Sequence, residues 1–467
     1  MAKVTAVAAT ADGFPNGFVW GAATSSYQIE GAVNEDGRGK SIWDTFCKVP
    51  GAIANGDSGD VANDHYHRYK EDIALMKSVG LQAYRFSFAW PRLFPDGTGR
   101  KENRGFDFYD RLIDQLLENE ITPYGTLYHW DLPQALEDKG GWRNREILNW
   151  FGEYATTVGE KFGDRVKNFF PINEPWVVAW LGHGVGIHAP GHKNRREAFT
   201  VAHHTVMAHA TAVNALRATY GDLKIGPVLN QAQYVPDDLT DSNQVHAAKI
   251  LDAVQNRYWM QGIFEGKYPQ ELIDEFGDEV TAPIKNGDLE FAKVKNDILG
   301  INYYFDTRVA SPKSGEIDPF DFSALWGLNI DSTPQGPLTD MGWPITPQGL
   351  EALLVRWHKE YGDNLPPIFI TENGAAYGDA PDSAGKVSDV RRIDYLAKHL
   401  MSVKNAAIQG APMAGYFQWS LMDNFEWSLG YEKRFGIIYV DFQNQKRTIK
   451  DSGYWYRDTI LNNGINI

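Results

Sequence analysis

Short apolar runs alternate with longer amphipathic stretches along the whole chain. The short runs are rich in β-branched and aromatic residues and have the length of buried strands. There are eight of them, at 18–21, 83–88, 123–128, 168–172, 224–229, 298–303, 368–371 and 415–419. In the stretch 66–79, Tyr66, Tyr69, Ile73 and Met76 fall on one helical stripe. Further helices are predicted over 106–117, 145–162, 196–220, 244–264, 347–361 and 390–408.

Eight strand–helix repeats predict an α/β protein folded as a single (β/α)8 TIM barrel. The chain has 467 residues, which leaves roughly 200 residues beyond a minimal barrel for long βα loops. A doubly wound open sheet is the alternative, but the turn after the first strand, WGAATSSYQ, lacks a dinucleotide-binding glycine pattern. No linker or low-complexity segment marks a domain boundary. We therefore predict a flexible extension over 1–12 and one catalytic domain over 13–467.

Charge and cysteine content narrow the partners and the compartment. With 45 basic and 60 acidic residues the net charge is −15, and such a surface repels nucleic acid and anionic lipid, so neither is expected as a partner. The lone cysteine, Cys47, excludes an internal disulfide, and no Asn-x-Ser/Thr sequon or signal-peptide core is present. These features predict a cytoplasmic protein. The oligomeric state stays open.

Polar or aromatic residues stand at nearly every predicted strand end. In a barrel, catalytic residues lie where each strand meets the following loop. One such residue is more often a cap or a turn residue than a ligand, but a repeat at strand after strand favours a site. These residues are Gln28, Arg85, His129, Trp130, Asn173, Glu174, Asn302, Tyr304, Glu372, Asn373 and Trp419.

Two of these ends share a pattern, an apolar run that stops at a glutamate beside asparagine. They are FFPINEPW at 169–176 and IFITENGA at 368–375. A carboxyl group held by an apolar strand can have its pKa raised while a partner stays ionised. Amide, imidazole and indole groups around such a pair suit an uncharged polyhydroxylated ligand. The pattern therefore predicts glycosyl transfer to water.

Nine motifs in order along the chain carry a family resemblance. They are FVWGAATSSYQIEGA (18–32), SIWDTF (41–46), YRFSFAWPR (84–92), LYHWDLP (127–133), NEPW (173–176), HAPG (188–191), NYY (302–304), TENG (371–374) and WSLMDNFEW (419–427). With these motifs the chain resembles the family 1 glycoside hydrolases of the retaining β-glucosidase type, most of all the bacterial ones. The resemblance runs from about residue 13 to residue 456.

The resemblance implies a role for each matching residue. Glu174 is expected to be the general acid/base and Glu372 the nucleophile. Arg85, Asn302 and Tyr304 are expected to lie against the nucleophile and to lower its pKa. The implied hydroxyl-binding shell comprises Gln28, His129, Trp130, Asn173, Glu426 and Trp427, with Trp419 as a stacking floor. The implied aglycone region comprises Trp176, His188, Trp326 and Trp343.

The implied activity is hydrolysis of β-glucosides and cello-oligosaccharides through a covalent glycosyl-enzyme, with β-galactosidase, β-fucosidase and transglycosylation side activities. Glu426 stands where phosphosugar relatives usually have serine, which disfavours 6-phosphorylated substrates. No cofactor and no metal are expected, because the histidines at 65, 67, 203, 204 and 209 are typical of packing or surface positions. The alternative function is a catalytically idle barrel that binds glycosides.

One residue departs from the resemblance. Pro171 stands two residues before Asn173 where most relatives have threonine, in what should be a central strand. Proline has no N–H for the sheet ladder and normally occurs at strand edges or bulges. We expect a local bulge or a lost ladder hydrogen bond beside Glu174.

Overall fold

A computed structural model describes residues 13–312 and 322–465 of the chain. The extension predicted over 1–12 lies outside the described residues. The strands are β1 Val19–Ala23, β2 Ala83–Ser87, β3 Thr122–Tyr128, β4 Asn168–Ile172, β5 Lys224–Ile225, β6 Val228–Asn230, β7 Tyr234–Pro236, β8 Leu299–Asn302, β9 Thr307–Val309, β10 Ile368–Asn373, β11 Met413–Trp419, β12 Ile438–Asp441 and β13 Lys446–Ile449.

The principal sheet is parallel, in the order β5-β4-β3-β2-β1-β11-β10-β8-β6. Its two ends are β5 and β6, the two halves of the predicted strand 224–229, so the sheet curls until this one strand closes the ring. Gly226 and Pro227 separate the halves, because proline cannot donate to the ladder. The predicted (β/α)8 architecture is confirmed, with the fifth strand split in two.

The seven predicted helical stretches are found to within a few residues, and the described residues form further helices that were not predicted, most of them short. They are α1 Ser26–Ile29, α2 Ile42–Phe46, α3 His65–Ser78, α4 Trp90–Leu93, α5 Asn103–Glu118, α6 Gln134–Glu137, α7 Ile147–Phe162, α8 Arg195–Thr219, α9 Ser242–Asp252, α10 Tyr258–Glu265, α11 Gln270–Phe276, α12 Asp278–Thr281, α13 Asp288–Ala292, α14 Pro347–Tyr361, α15 Val390–Ile408 and α16 Asp451–Asn462. The predicted helix 244–264 is interrupted by a π-helical turn, Ala253–Arg257. Among the described residues, no helix combines the length and the apolar character needed to cross a bilayer.

An aromatic layer fills the barrel interior below the strand ends. Neighbouring strands contribute Tyr124, Phe170, Phe369 and Phe417 to one buried cluster, and the rings of Tyr124 and Phe417 lie 5.0 Å apart. The guanidinium of Arg85 lies 5.6 Å from the Phe170 ring centroid. The Arg85 guanidinium therefore lies directly on this layer, which forms an apolar floor beneath the strand ends.

The sheet is irregular at Pro171, as predicted, and also in β10. β3 and β4 keep a single register, but the step opposite Pro171 is without a pair, so of the two expected outcomes the loss of a ladder pair is confirmed and the bulge is not. β10 has one extra residue, Thr371, because Ile370 pairs with Ile301 whereas Glu372 pairs with Asn302. Such a shift rotates the following side chains. The Glu372 side chain therefore points in a different direction from the one it would have in a regular strand.

Candidate active site

The two predicted glutamates are both buried at the carboxyl ends of barrel strands. Glu372 lies within β10 and is 3% exposed, and Glu174 follows β4 and is 5% exposed. The backbone of Glu174 has a left-handed φ of 46°, and its N–H donates to Val228 O at 3.0 Å. That bond ties the residue to the neighbouring strand β6. The tie fixes where the Glu174 side chain leaves the barrel wall.

A continuous hydrogen-bond chain joins the two carboxyl groups. Arg85 donates from Nη1 to Glu372 Oε1 at 2.7 Å and from Nη2 to Asn173 Oδ1 at 2.6 Å. Asn302 Nδ2 donates to the same Asn173 oxygen at 3.2 Å and to Glu174 Oε1 at 2.6 Å. Four strands thus hold both carboxyl groups in one network. Asn302 neighbours Glu372 in the sheet, as expected, but its amide also binds Glu174, which was not predicted.

Tyr304 completes the surroundings of Glu372. Its hydroxyl donates to Glu372 Oε2 at 2.8 Å, so each oxygen of this carboxylate accepts a hydrogen bond, one of them from a cation. Trp343 packs on the Tyr304 ring at 5.2 Å, and Phe435 packs on it at 6.1 Å. This aromatic packing holds the phenol in position. Phe435 was not predicted, because an apolar residue in a loop carries no signal of its own.

Burial raises the pKa of both glutamates, and their different neighbours make the two pKa values differ. For Glu372, Arg85 and Tyr304 lower the pKa as expected, but burial outweighs them and the net shift is upward. For Glu174, burial and then the negative charge of Glu372 raise the pKa well above the usual glutamate range. Glu174 therefore keeps its proton at a pH where Glu372 is ionised. This is the arrangement of an acid beside a nucleophile.

Changing Tyr304 to phenylalanine is expected to move the acid limb of the activity profile to higher pH. The phenol donates to the ionised form of Glu372 and so lowers the Glu372 pKa. Without the phenol this pKa rises, so on acidification Glu372 becomes protonated at a higher pH than in the wild type. We expect kcat/KM at the optimum to fall about 10- to 100-fold. The measurement is kcat/KM against pH. Tyr234→Phe, at a half-buried tyrosine bonded to Gln255, is the control, and an unmoved acid limb in Tyr304→Phe would contradict the assignment.

His129 is held as a neutral donor. Asn173 uses its oxygen to accept from Arg85 and Asn302, so its Nδ2 donates to His129 Nε2, 3.1 Å away. The imidazole proton is then on Nδ1, which is buried without a partner among the described residues. Burial, and secondarily Arg85, hold the His129 pKa well below its ordinary value. A hydroxyl group of a ligand is a suitable acceptor for this N–H.

The predicted glycone aromatics surround His129. Its ring lies 6.0 Å from Trp419 and 6.0 Å from Trp427, nearly parallel to both. Trp130 packs on Trp427 at 4.6 Å, and its indole N–H donates to Asn173 O at 2.9 Å. The structure therefore brings these aromatic residues together over the carboxyl network, as the sequence predicts.

Glu426 carries a carboxyl group aimed at no protein donor. Its Oε2 is buried and without a partner among the described residues. Burial and then the charge of Glu372 raise the pKa of Glu426 to about 8. Near neutral pH the group is therefore largely protonated and can both donate to and accept from hydroxyl groups. This changes the reason for excluding a phosphate: no cation among the described residues lowers the pKa of Glu426, so a phosphate there would lack a partner cation rather than meet a full negative charge.

Gln28 supports the glycone shell. Its amide nitrogen donates to Phe425 O at 2.7 Å and to Asn424 Oδ1 at 3.1 Å, and its oxygen accepts from Ser25 at 2.6 Å. Both amide N–H groups are used in this conformation. Gln28 therefore holds the segment that carries Glu426. Neither Ser25 nor Asn424 was predicted to take part.

The predicted aglycone residues divide into two groups. Trp176 and Trp343 are half-buried. Trp343 packs on Tyr304 at 5.2 Å and His188 packs on Trp130 at 5.4 Å, so these two lie against residues of the site. Trp326 is 3% exposed and packs against Trp180 at 4.4 Å and Phe276 at 5.8 Å. The aglycone prediction for Trp326 is therefore wrong. An aromatic residue in a variable loop packs a core as readily as it lines a groove.

The described residues hold one His/Glu cluster with the geometry of a metal site, formed by Glu137, His183 and His192. Neither Glu174 nor Glu372 belongs to it, and none of the histidines considered in the sequence analysis does.

Comparison with known proteins places this site in context. A family model described as "Glycosyl hydrolase family 1" matches residues 10–465. Beta-glucosidase A of Thermotoga maritima is 48% identical over 453 residues, covering 97% of this chain and 98% of that protein. The 1,4-beta-D-glucan glucohydrolase of Thermotoga neapolitana is 47% identical, covering 97% and 99%.

Solved structures agree in fold. The family 1 β-glucosidase of Thermotoga maritima in complex with isofagomine lactam superimposes with a TM-score of 0.91 at 45% identity, covering 97% of this chain and 100% of that one. The β-glucosidase of the same organism in complex with glucoimidazole gives 0.90 at 46% identity, with coverages of 97% and 100%.

Proposed function

Because the chain belongs to glycosyl hydrolase family 1 and is a β-glucosidase, we propose that it removes terminal β-D-glucosyl residues by double displacement with retention of configuration. The observation that carries the proposal is the pair of buried carboxyl groups joined through Arg85, Asn173 and Asn302. Burial raises both pKa values; the charge of Glu372 raises that of Glu174 further, whereas Arg85 and Tyr304 lower that of Glu372.

In the first step Glu372 attacks the anomeric carbon. Arg85 and Tyr304 hold its carboxylate, and protonated Glu174 donates its proton to the departing glycosidic oxygen. A covalent glycosyl-enzyme and a free alcohol result. Retention requires the two carboxyl groups to lie about 5–5.5 Å apart.

In the second step Glu174 acts as a base. Once Glu372 is esterified its negative charge is gone, and since that charge raises the pKa of Glu174, the Glu174 pKa falls. Glu174 then takes a proton from water, whose oxygen attacks the anomeric carbon and displaces Glu372. One residue can thus serve as acid and as base because its partner changes charge between the steps.

The glycone shell supports a neutral sugar as substrate. The unpaired His129 Nδ1 and Glu426 Oε2 offer a donor and a titratable group to hydroxyls, and the indole rings of Trp419 and Trp427 offer faces for pyranose C–H groups. Epimers of glucose differ at one hydroxyl, so activity on β-galactosides and β-fucosides is part of the proposal. A 6-phosphate beside Glu426 would find no partner cation among the described residues, since none contributes to the Glu426 pKa.

The outer aromatic residues support longer substrates. Trp343 packs on Tyr304, which binds the nucleophile, and His188 packs on Trp130. A second glucosyl unit of a cello-oligosaccharide can stack on these outer rings. The 47% identical Thermotoga neapolitana relative carries the name 1,4-beta-D-glucan glucohydrolase. The same region can hold a sugar or an alcohol in place of water, which supports transglycosylation at high substrate concentration.

The test is a kcat/KM panel of aryl β-glycosides, including the 6-phosphate, followed by cellobiose to cellopentaose. We expect the β-glucoside to be turned over and the 6-phosphate to be at least about 100-fold poorer, about 3 kcal/mol of lost transition-state binding. Proton NMR of the first product checks retention, with β-glucose expected before mutarotation.

Two outcomes would overturn the proposal. Binding of glycosides without turnover over a broad pH range would support the idle barrel instead, and α-glucose as the first product would exclude double displacement. Exclusively hydrolytic products at high substrate concentration would exclude transglycosylation alone.

A further inference from the structure

Glu137, His183 and His192 come together in the segments that follow β3 and β4. Glu137 ends α6, in the loop region after β3, and His183 lies in a π-helical segment, Val177–Gly184, after β4. His192 lies in the connection that leads to α8. One donor atom from each residue lies within 4.8 Å of the other two. The cluster therefore joins the segments after two neighbouring barrel strands.

His183 presents a free lone pair to this cluster. Its Nδ1 lies 2.8 Å from the carbonyl oxygen of Val178 and must donate to it, so Nε2 is the unprotonated nitrogen. Nε2 is buried and has no partner among the described residues, and the residue is only 1% exposed. Metal-binding histidines commonly donate their other N–H to a backbone carbonyl in this way.

Glu137 and His192 supply the other two donors. Glu137 Oε1 lies 2.8 Å from His192 Nε2, and the two histidine rings lie 5.4 Å apart. The Glu137 side chain is 8% exposed and that of His192 31%. Burial of a carboxylate beside an unpaired imidazole nitrogen is costly unless a cation or a donor lies between them.

Arg143 is the competing cation. It binds Glu137 Oε1 at 2.9 Å and approaches Glu197 at 3.5 Å. Its charge is thus shared between two carboxylates, while Glu137 Oε2 stays without a partner among the described residues. With both histidines neutral, the two carboxylates of Glu137 and Glu197 and the one guanidinium of Arg143 leave one net negative charge. A divalent cation is compatible with that balance.

We propose that Glu137, His183 and His192 bind one zinc-class divalent transition-metal ion. Two imidazoles and one carboxylate are the ligand types of zinc, whereas calcium and magnesium prefer oxygen ligands throughout. In a tetrahedral zinc site the ligand atoms lie about 3.4 Å apart, so a separation of up to 4.8 Å must shorten by up to about 1.4 Å. A water molecule completes the coordination.

The ion clips the segment that follows β3 to the segment that follows β4. Trp130 belongs to the first segment and Trp176 to the second. Glu174 and Glu372 are not ligands, so the ion stabilises the wall of the site without taking part in the reaction. Its expected effect is on thermal stability.

The test uses the full-length protein after treatment with a chelator and dialysis. Titration with Zn²⁺ followed by calorimetry is expected to give one equivalent bound, and Co²⁺ to give the visible absorption of a tetrahedral site. Zn²⁺ is expected to raise the melting temperature by about 2 °C or more. His183→Gln and His192→Gln are each expected to abolish all three signals.

The matched control is His246→Gln, which changes an exposed histidine 3.6 Å from Glu275 and should bind Zn²⁺ as the wild type does. The melting temperature of metal-free His192→Gln shows whether that variant folds. Absence of stoichiometric Zn²⁺ binding by the wild type, or binding that His192→Gln leaves unchanged, would mean that water alone fills the cluster, and the proposal would be wrong.

Discussion

Glu372→Ala is expected to lower kcat/KM for aryl β-glucosides by about 10⁴-fold or more while glycoside binding stays within a few-fold of the wild type. Loss of a covalent nucleophile removes the whole double-displacement route. We expect binding to be retained because His129, Glu426 and the indole rings, which the proposal assigns to the sugar, lie on other segments of the chain. A falling kcat with a nearly constant dissociation constant is therefore the expected signature.

Steady-state kinetics gives kcat/KM, and calorimetry with a glycoside that the enzyme does not hydrolyse gives the dissociation constant. Azide can enter the space left by the missing side chain and attack the activated substrate directly, so an α-glycosyl azide is the expected rescue product. Glu118→Ala, an exposed glutamate on α5, is the control and should be as active as the wild type. Near-normal turnover by Glu372→Ala would remove the nucleophile assignment.

Glu174→Ala is expected to have an effect that depends on the leaving group. Alkyl glucosides and cellobiose need a proton on the departing oxygen, so their kcat/KM should fall about 10²- to 10⁴-fold. Dinitrophenyl glucoside needs no such help, so its first step should be nearly normal and the glycosyl-enzyme should accumulate because no base activates water.

The same variant predicts a change in pH dependence. The pKa of Glu174 is raised well above the usual range. We therefore expect the activity of the wild type to fall on the alkaline side, as Glu174 loses its proton. Without Glu174 that limb should disappear, and only the acid limb from Glu372 should remain. Kinetics against pH with both substrate types is the measurement. An equal loss for good and poor leaving groups, with the alkaline limb intact, would contradict an acid/base role.

Much of the fold and of the site could be predicted from local pattern. Strands such as Asn168–Ile172 and helices such as Pro347–Tyr361 and Val390–Ile408 match their predicted bounds, because apolar periodicity and flanking turn residues act within a few positions. Glu174 and Glu372 could be found because each ends an apolar run. The predicted cytoplasmic location stays a prediction.

Packing across the chain could not be predicted in the same way. The sequence placed Trp326 in the aglycone region, whereas the structure buries it against Trp180. It predicted the lost ladder pair at Pro171 but not the extra residue in β10 beside Glu372. The error at Trp326 and the omission in β10 arise because a side chain's neighbours are set by which segments meet.

The sequence by itself determined the order of strands and helices, the family and the identity of the two carboxylates. These depend on local spacing and on short motifs of contiguous residues. Only the tertiary structure decided how those carboxylates differ. The amide that binds Glu174 lies 128 residues away in the chain, and the guanidinium that binds Glu372 lies 287 residues away. Burial raises each pKa, and these distant partners set how far. The cluster of Glu137, His183 and His192 depends in the same way on loops that meet only after the barrel closes.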